Sequence, residues 1–540
     1  MSPMPTLESS IDLQSAEFAA SRDMMLAAVN EFRDIESRAD AAGEAKKERF
    51  AKRGMLLPRE RLNLLLDPGT PFLELSSLAG YMRHDDKDGT GAGAGAIAGI
   101  GYVSQVRCLV IVDNFAVKGG TITPTGLQKK LRLQDIAREN KLPVVSLAQS
   151  GGANLTYAGE IFVPGGRGFA NQARLSAAGI PQITVVHGSA TAGGAYQPGL
   201  SDYIIMVRNQ ATMYLAGPPL LKAATGEIAN DEELGGAEMH SVVSGVSDYL
   251  AEDDADGIRA AREILAKIPW NDQLPVAEQP AFKEPIYSPD ELIGVVPDNP
   301  KVPYDCREII ARIADSSDFL DFKPGYDAQT VCGHIKIVGN ACGVIGNNGP
   351  ITANGAAKAG QFIQLCEQAD IPILFMHNTT GFIVGKESER NGILKHGSKM
   401  IQAVANARVP KISVHVGGSY GAGNYAMCGR GFDPRFVFSW PNSRTAVMGG
   451  AQAGMVLRTV AEAKMKKAGQ VDEAKLDAME KGTREMLEGQ STALACTARL
   501  EDDGLIDPRD TRTILAFVLN VCREAEHRTT RPNTFGIARF

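Results

Sequence analysis

Apolar residues recur at helical spacing through residues 12–65, at Phe18, Met25, Ala28, Phe32 and Ile35, among abundant Lys, Arg and Glu. A period near 3.6 predicts a helical N-terminal extension. A mixed β region follows to about residue 115. It contains the tract GTGAGAGAIAGIGYV at 89–103, which reads as a strand approached through a flexible glycine turn. It is not a dinucleotide fingerprint, because no helix pattern follows it. From 127 to 215 the pattern alternates. An amphipathic helix is predicted at 127–140, a buried strand at 143–147, a helix at 171–178 and a second buried strand at 183–186. Short apolar strands separated by helices predict a parallel sheet covered on both faces. Residues 272–303 are rich in proline and acid and read as a linker.

After the linker the same pattern returns. Leu142-Pro143 corresponds to Ile371-Pro372 and Ile180-Pro181 to Val409-Pro410, both at an offset of 229. In that register Lys129 falls on Lys358, Gly126 on Gly355, Gly152 on Gly381, Gly194 on Gly423 and Tyr196 on Tyr425. So many landmarks without a gap indicate one domain written twice, and the period is far too long for a solenoid. The expected organisation is α/β. A helical extension (1–65) precedes a first domain (66–275), a linker (276–303) and a second domain (304–540). Lys129 and Lys358 sit one turn into matched helices, as surface residues or as ligand contacts.

Each copy carries a buried strand that runs into a glycine-rich turn, GSATAGGAY at 188–196 and GGSYGAGNY at 417–425. Successive small residues admit a ligand close to the backbone, and amides at the start of a helix point at developing negative charge. That is the recipe for an oxyanion hole. Tight packing at a strand–helix corner also accounts for such a turn, but its recurrence at one place in both copies favours the first reading. Neither a G-x-S-x-G elbow nor a Walker motif stands beside either turn. The acidic residues Glu227 and Asp231 to Glu233 read as solvated. A turn without an obvious protein base suggests oxyanion stabilisation while another molecule moves the proton.

Composition narrows the picture further. Glycine is in excess, 57 of 540 residues, against a usual figure of about 7%, and most of it lies in clusters inside apolar segments. The net charge of −7 leaves no electrostatic footprint for nucleic acid. No apolar stretch approaches a membrane span, and the N-terminus lacks the pattern of a secretory signal, so a cytoplasmic protein is expected. None of the eight cysteines has C-x-x-C spacing and the histidines form no metal motif, so buried thiols and no metal are expected.

Long motifs extend the turns. GPPLLKAATGE (217–227), LGGAEMH (234–240), SGVSDY (244–249), NTTGF (378–382), GGSYGAGNYAMCGRGFDPRF (417–436) and WPNSRTAVMGG (440–450) resemble the carboxyltransferase β subunits of biotin-dependent acyl-CoA carboxylases. The likeness covers nearly the whole chain. The Y-G-A-G-N-Y form at 420–425 is similar to the 3-methylcrotonyl-CoA and geranyl-CoA branch. The resemblance implies two crotonase-like ββα-superhelix domains in tandem, and a carboxyl group passing from carboxybiotin on a partner to an acyl-CoA. Two oxyanions then need stabilising. Carried over by position, Gly193 and Gly194 serve the thioester oxygen, and Ala422 and Gly423 the biotin carbonyl. Gly151, Gly152 and Tyr196 line the substrate side, and Thr380, Gly381, Phe382 and Tyr425 the biotin side. Each site is completed by the N-half of one protomer and the C-half of another.

In this branch bulkier residues stand near Gly168 and Ala170, where GGRGFANQ (165–172) is small, which implies room for a longer acyl chain such as geranyl. No A-M-K-M biotinylation site is present; the run from Ala463 to Lys467 lies in a charged helical stretch. Biotin and biotin carboxylase are therefore expected on a separate α subunit, around a β hexamer. Another acyl-CoA such as propionyl-CoA, a biotin-dependent decarboxylase, or a non-catalytic structural paralogue are the competing readings.

Overall fold

The computed structural model describes residues 6–275, 281–299 and 302–539. The chain forms two units, each with its own core. The N-terminal unit comprises 33–277 with 498–500 and 523–540; the C-terminal unit comprises 278–497 and 501–522 with 1–32. The helical extension is thus divided. Its first helix, α1 (Ala16–Glu44), begins in one unit and ends in the other, and α2 (Lys47–Ala51) and α3 (Pro58–Leu65) belong to the N-terminal unit.

The N-terminal unit is built on an eight-stranded sheet. Its path is β1 (Leu73–Glu74), β2 (Ala96–Val103), β3 (Val106–Asp113), β4 (Val144–Ser150), β5 (Gln182–Thr191), β6 (Tyr203–Val207) and β8 (Tyr249–Ala251), with β7 (Thr212–Tyr214) beside β5. β2 and β3 are an antiparallel hairpin, and from β3 onward the path is parallel. All eight residues of β3 are buried, the continuous apolar run of a strand covered on both faces. Each fully buried Val or Leu contributes about 1.5–3 kcal/mol. The glycine tract behaves as read from sequence: a turn leads directly into β2.

The C-terminal unit repeats this plan in seven strands, β9 (Leu320–Asp321), β10 (Thr330–Ile337), β11 (Asn340–Asn347), β12 (Ile373–Thr379), β13 (Lys411–Tyr420), β14 (Phe436–Ser439) and β15 (Arg444–Ala446), ordered β14-β13-β12-β11-β10-β9 with β15 beside β13. The 229-residue offset is kept at both ends of three elements. It relates α4 (Pro124–Glu139) to the helix Ala353–Gln368, β4 to β12 and β5 to β13. The helix starts are alike as well. Thr123 accepts from the Gly126 amide at 3.1 Å and Thr352 from the Gly355 amide at 2.9 Å, a side-chain N-cap in each copy. Before α4 the offset is 234, because residues 114–123 join β3 to α4 whereas the five residues 348–352 suffice in the second copy.

Two sequence expectations fail in detail. The helix predicted at 171–178 is α5 (Ala158–Ala177), 20 residues long with Pro164 inside it. Its glycine- and proline-rich first half falls outside the predicted range, and of residues 158–167 only Ile161 is buried. Lys129 and Lys358 are not surface residues, since both are buried. The Lys129 ammonium donates to the carbonyls of Ser76, Gly93 and Ala96 at 2.7–3.1 Å, and burial pushes it down to about 8. Lys358 donates to the Asp327 carbonyl at 3.3 Å and is also lowered by burial. Both lysines tie a loop of their own unit to the helix.

Candidate oxyanion turns

In the N-terminal unit, β4 and β5 run parallel until their register slips between Ala148 and Ser150. A Cβ on Gly188 would lie 2.5 Å from the Gln149 amide nitrogen, so glycine is required there by packing. β5 then ends at Thr191, Ala192 turns with φ 53° and ψ −122°, and α6 (Gly193–Gly199) begins. A positive φ is costly for a residue with a Cβ. No side chain caps α6, so its leading amides keep their capacity to donate. A Cβ on Gly193 would meet only the Phe169 ring, at 3.8 Å, and one on Gly194 only Ser150, at 3.6 Å. The protein itself would tolerate a methyl group at either place.

The C-terminal unit shows the same construction. The register slips between His377 and Thr379, and a Cβ on Gly417 would lie 2.3 Å from the Asn378 side chain. The positive φ falls on Gly421, at 55°, the counterpart of Ala192. The helix Gly421–Ala426 follows Tyr420 and again has no side-chain cap. Here the glycine is packed. A Cβ on Gly423 would lie 2.8 Å from the Gly381 Cα and 3.1 Å from the Thr379 methyl.

Around each turn the other expected site residues sort themselves. Gly152 and Gly381 both take positive φ, at 84° and 113°, and the space for a Cβ on each faces the carbonyl of the last residue of the adjacent strand, Thr191 and Tyr420. The Gly151 amide donates to Gly119 O at 3.2 Å. Thr380 follows the slip and is exposed. Tyr196 and Tyr425 are about half exposed. Tyr196 leans on Phe169, with centroids 5.6 Å apart, and Tyr425 stacks on Phe432 at 5.9 Å. Phe382 packs its ring against Gly397 and the core of its unit. On α5, a Cβ on Gly168 would find nothing nearer than Leu131, at 3.9 Å. Ala170 lies on the same helix, partly buried.

Sequence reasoning missed the polar braces beneath the turns. In the N-terminal unit buried His187 Nδ1 is 2.7 Å from Asp254, whose other oxygen accepts from Arg61 Nε at 2.9 Å and from the Leu56 amide at 2.7 Å. Arg61 continues to Gln149 at 2.7 Å. Burial, then the Arg61 charge, push His187 down to about 4. In the C-terminal unit His377 and His415 pack ring to ring, with centroids 4.5 Å apart. Their Nδ1 atoms meet Ser419 and Ser439 at 2.8 and 3.1 Å, and burial lowers both, His415 to about 4. Asn424, inside the turn helix, donates to Ser419 at 2.8 Å, linking the turn to the pair. Apart from Asn424 and Ser419, the partners are distant in sequence, so no local signal marks them.

Among the described residues, no cluster of His, Cys, Asp and Glu could hold a metal ion, and no helix is long and apolar enough to cross a membrane. All eight cysteines are free and buried.

Comparison with known proteins gives a single answer. The family described as the carboxyl transferase domain matches residues 49–535. The chain is 47% identical to a probable biotin-dependent acyl-coenzyme A carboxylase β2 subunit of Mycobacterium tuberculosis, over 99% of this chain and 100% of that one. It is also 47% identical to the biotin-dependent 3-methylcrotonyl-coenzyme A carboxylase β1 subunit of the same organism, over 89% and 91%. The crystal structure of the geranyl-CoA carboxylase β subunit of P. aeruginosa superimposes with a TM-score of 0.94 at 64% identity, covering 99% of this chain and 100% of that one.

Proposed function

Since the chain belongs to the carboxyl transferase family, as the carboxyltransferase β subunit of a biotin-dependent acyl-CoA carboxylase, we propose that its two uncapped turns divide the two negative oxygens of one carboxyl transfer. Gly193 and Gly194 receive the thioester oxygen of the acyl-CoA. Ala422 and Gly423 receive the carbonyl oxygen of biotin carried on a partner α subunit. One observation carries this assignment. Glycine persists at 193 and 194 where neither packing nor a positive φ demands it, so the missing Cβ atoms leave room for something other than protein.

Amide donors suit the carbonyl oxygen of a urea, and the second turn offers them without a capping side chain. When bound, carboxybiotin supplies the carboxyl group and accepts the substrate proton. This chain's residues then have three tasks. The first turn polarises the thioester and holds its oxygen as negative charge develops, which is worth about 2.7–4 kcal/mol per donor in comparable sites. Gly151-Gly152 and Thr380-Gly381 keep the approach to each turn narrow. Tyr196 and Tyr425 flank the mouths. Assembly of the N-half of one protomer with the C-half of another, in a β hexamer surrounded by α subunits, belongs to the same reading. So does a reducing, cytoplasmic setting for eight free thiols.

The substrate is a branched β-methyl-α,β-unsaturated acyl-CoA with a long chain, of which geranyl-CoA is the type. Gly168 supports this. The space its side chain would take is open, and the next residue, Phe169, leans over Gly193. Three extra buried methylenes at about 0.8 kcal/mol each favour the longer chain by about fiftyfold. Comparing kcat/KM for geranyl-CoA and 3-methylcrotonyl-CoA in the α–β complex tests the assignment. Preference for the shorter substrate overturns it. Gly168→Phe is expected to reverse the wild-type order.

A further inference from the structure

The two copies brace their turn helices with opposite sets of side chains. Beneath the first turn the Lys130 ammonium, held to Asp113 at 2.8 Å, donates to the Gln197 side chain at 3.1 Å. The Gln172 side chain donates to the Gln197 carbonyl at 2.9 Å. At the 229-residue offset Lys130, Gln172 and Gln197 become Ala359, Ile401 and Ala426. Beneath the second turn Asn424 donates to Ser419, and Ser419 meets His377 Nδ1, both at 2.8 Å. The first copy has Ala195, Ala190 and Ala148 at those three places, all buried. The polar row continues across the sheet. His415 lies in register with His377, and Ser439 with His415, where the first copy has Val186 and Met206.

Buried polar groups cost free energy that only complete hydrogen bonding recovers. The first copy forms the same strand, turn and helix with three alanines, so the fold alone does not require the relay. Its hydrogen bonds also run in one direction. Ser419, fully buried, accepts from Asn424 and has one proton to give, and His377, kept neutral by burial, takes it on Nδ1. Turned over, the Asn424 amide would take that proton itself and leave Nδ1 without a donor. Gly429 lacks a side chain where Asn424 Oδ1 stands, which fits the amide in its present orientation.

We infer that Asn424, Ser419 and His377 are positioning residues for the second turn. They fix the helix Gly421–Ala426 on the end of β13, so that the Ala422 and Gly423 amides converge on one oxygen. This rests on the reading of that turn as the biotin side. The need for a brace follows from the bend. Gly421 takes the positive φ of 55° without strain, and a glycine bend is also free to move. Ala192 restricts the bend of the first turn by its own side chain, and there the brace grips the far end of the helix, at Gln197.

Carboxyl transfer run in reverse by the full-length β subunit, from a carboxylated acyl-CoA to free biotin, reads the two sides separately. The thioester is that of geranyl-CoA or 3-methylcrotonyl-CoA, whichever wild type uses better. Asn424→Ala is expected to lower kcat/KM for biotin about tenfold, with KM for the thioester within about twofold and the thermal midpoint nearly unchanged. Asn424→Asp keeps the size but cannot donate, and should lose as much. Ser419→Ala should match it. The double variant Ser419→Ala/Asn424→Ala should be no worse than either single variant, because one relay is broken only once. Losses that multiply in the double variant would mark independent packing contributions and overturn the relay. Unchanged kinetics in every variant, even with a lowered thermal midpoint, would overturn it too. A loss carried by the KM of the thioester alone upholds the relay and overturns the biotin reading of the turn.

Discussion

The turn at 192–194 and the turn at 421–423 occupy one position in two copies of a domain, yet glycine is present in them for opposite reasons. At Gly423 the backbone of Gly381 and the methyl of Thr379 occupy the space a side chain needs. At Gly193 and Gly194 that space is open. The strained position is reversed as well: the second copy places glycine at positive φ, at residue 421, and the first places Ala192 there. The first turn thus accepts strain at its bend and emptiness at its amides, whereas the second is relaxed at its bend and filled at its third residue. Glycine in a functional turn is informative only once its neighbours are known.

The largest effect that could break this comparison is on catalysis. Gly194→Val is expected to lower kcat by about 10²–10³ in the α–β complex, with the thermal midpoint of the β subunit nearly unchanged. Full activity would remove the oxyanion role from the first turn. Next, Gly423→Ala should cost about 1–3 kcal/mol of stability, because an added methyl meets backbone that cannot swing away. Denaturant unfolding of the isolated β subunit measures it, and Gly194→Ala in the same assay should cost well under 1 kcal/mol.

Acid provides a third, smaller contrast. An unfolded histidine takes up its proton near pH 6.5, whereas buried His187 and His415 do so only near 4, and burial holds His377 well below its ordinary value. Stability is therefore complete above about pH 6.5 and falls toward pH 4, by about 1.4 kcal/mol per pH unit for each histidine. Two such histidines lie in the C-terminal unit and one in the N-terminal unit. Of the two tryptophans, Trp440 is buried in the former, its Nε1 donating to Thr511 at 3.0 Å, and Trp270 belongs to the latter. Single-tryptophan variants should show Trp440 fluorescence changing at the higher pH. The smallest effect is Ala192→Gly. Relief of the positive φ should raise stability by up to about 1 kcal/mol, part of it offset by chain entropy.

Much of the duplicated core was legible in sequence because α4, β4 and β5 recur without a gap, so one register aligned turns, caps and prolines together. The residues of the two glycine-rich turns were legible for the same reason. What escaped depends on partners far away in the chain. Lys129 follows the period of a charged helix, and only the carbonyls of Ser76, Gly93 and Ala96 reveal it as buried. Phe382 stands in a motif assigned to biotin, but its ring is held by Gly397 on a later helix. The first half of α5 lies outside the helix predicted at 171–178, since Pro164, Gly165 and Gly166 are poor helix formers.

The eight sequestered thiols have a practical use. Burial raises the six at 108, 306, 332, 342, 366 and 428 above their ordinary value, so the native protein should be almost silent toward maleimides. A single cysteine at Tyr196 or Tyr425, each about half exposed, would then be the one addressable sulfur. Without any background substitutions, a fluorophore or spin label could report on the mouth of either turn separately while substrate and partner come and go.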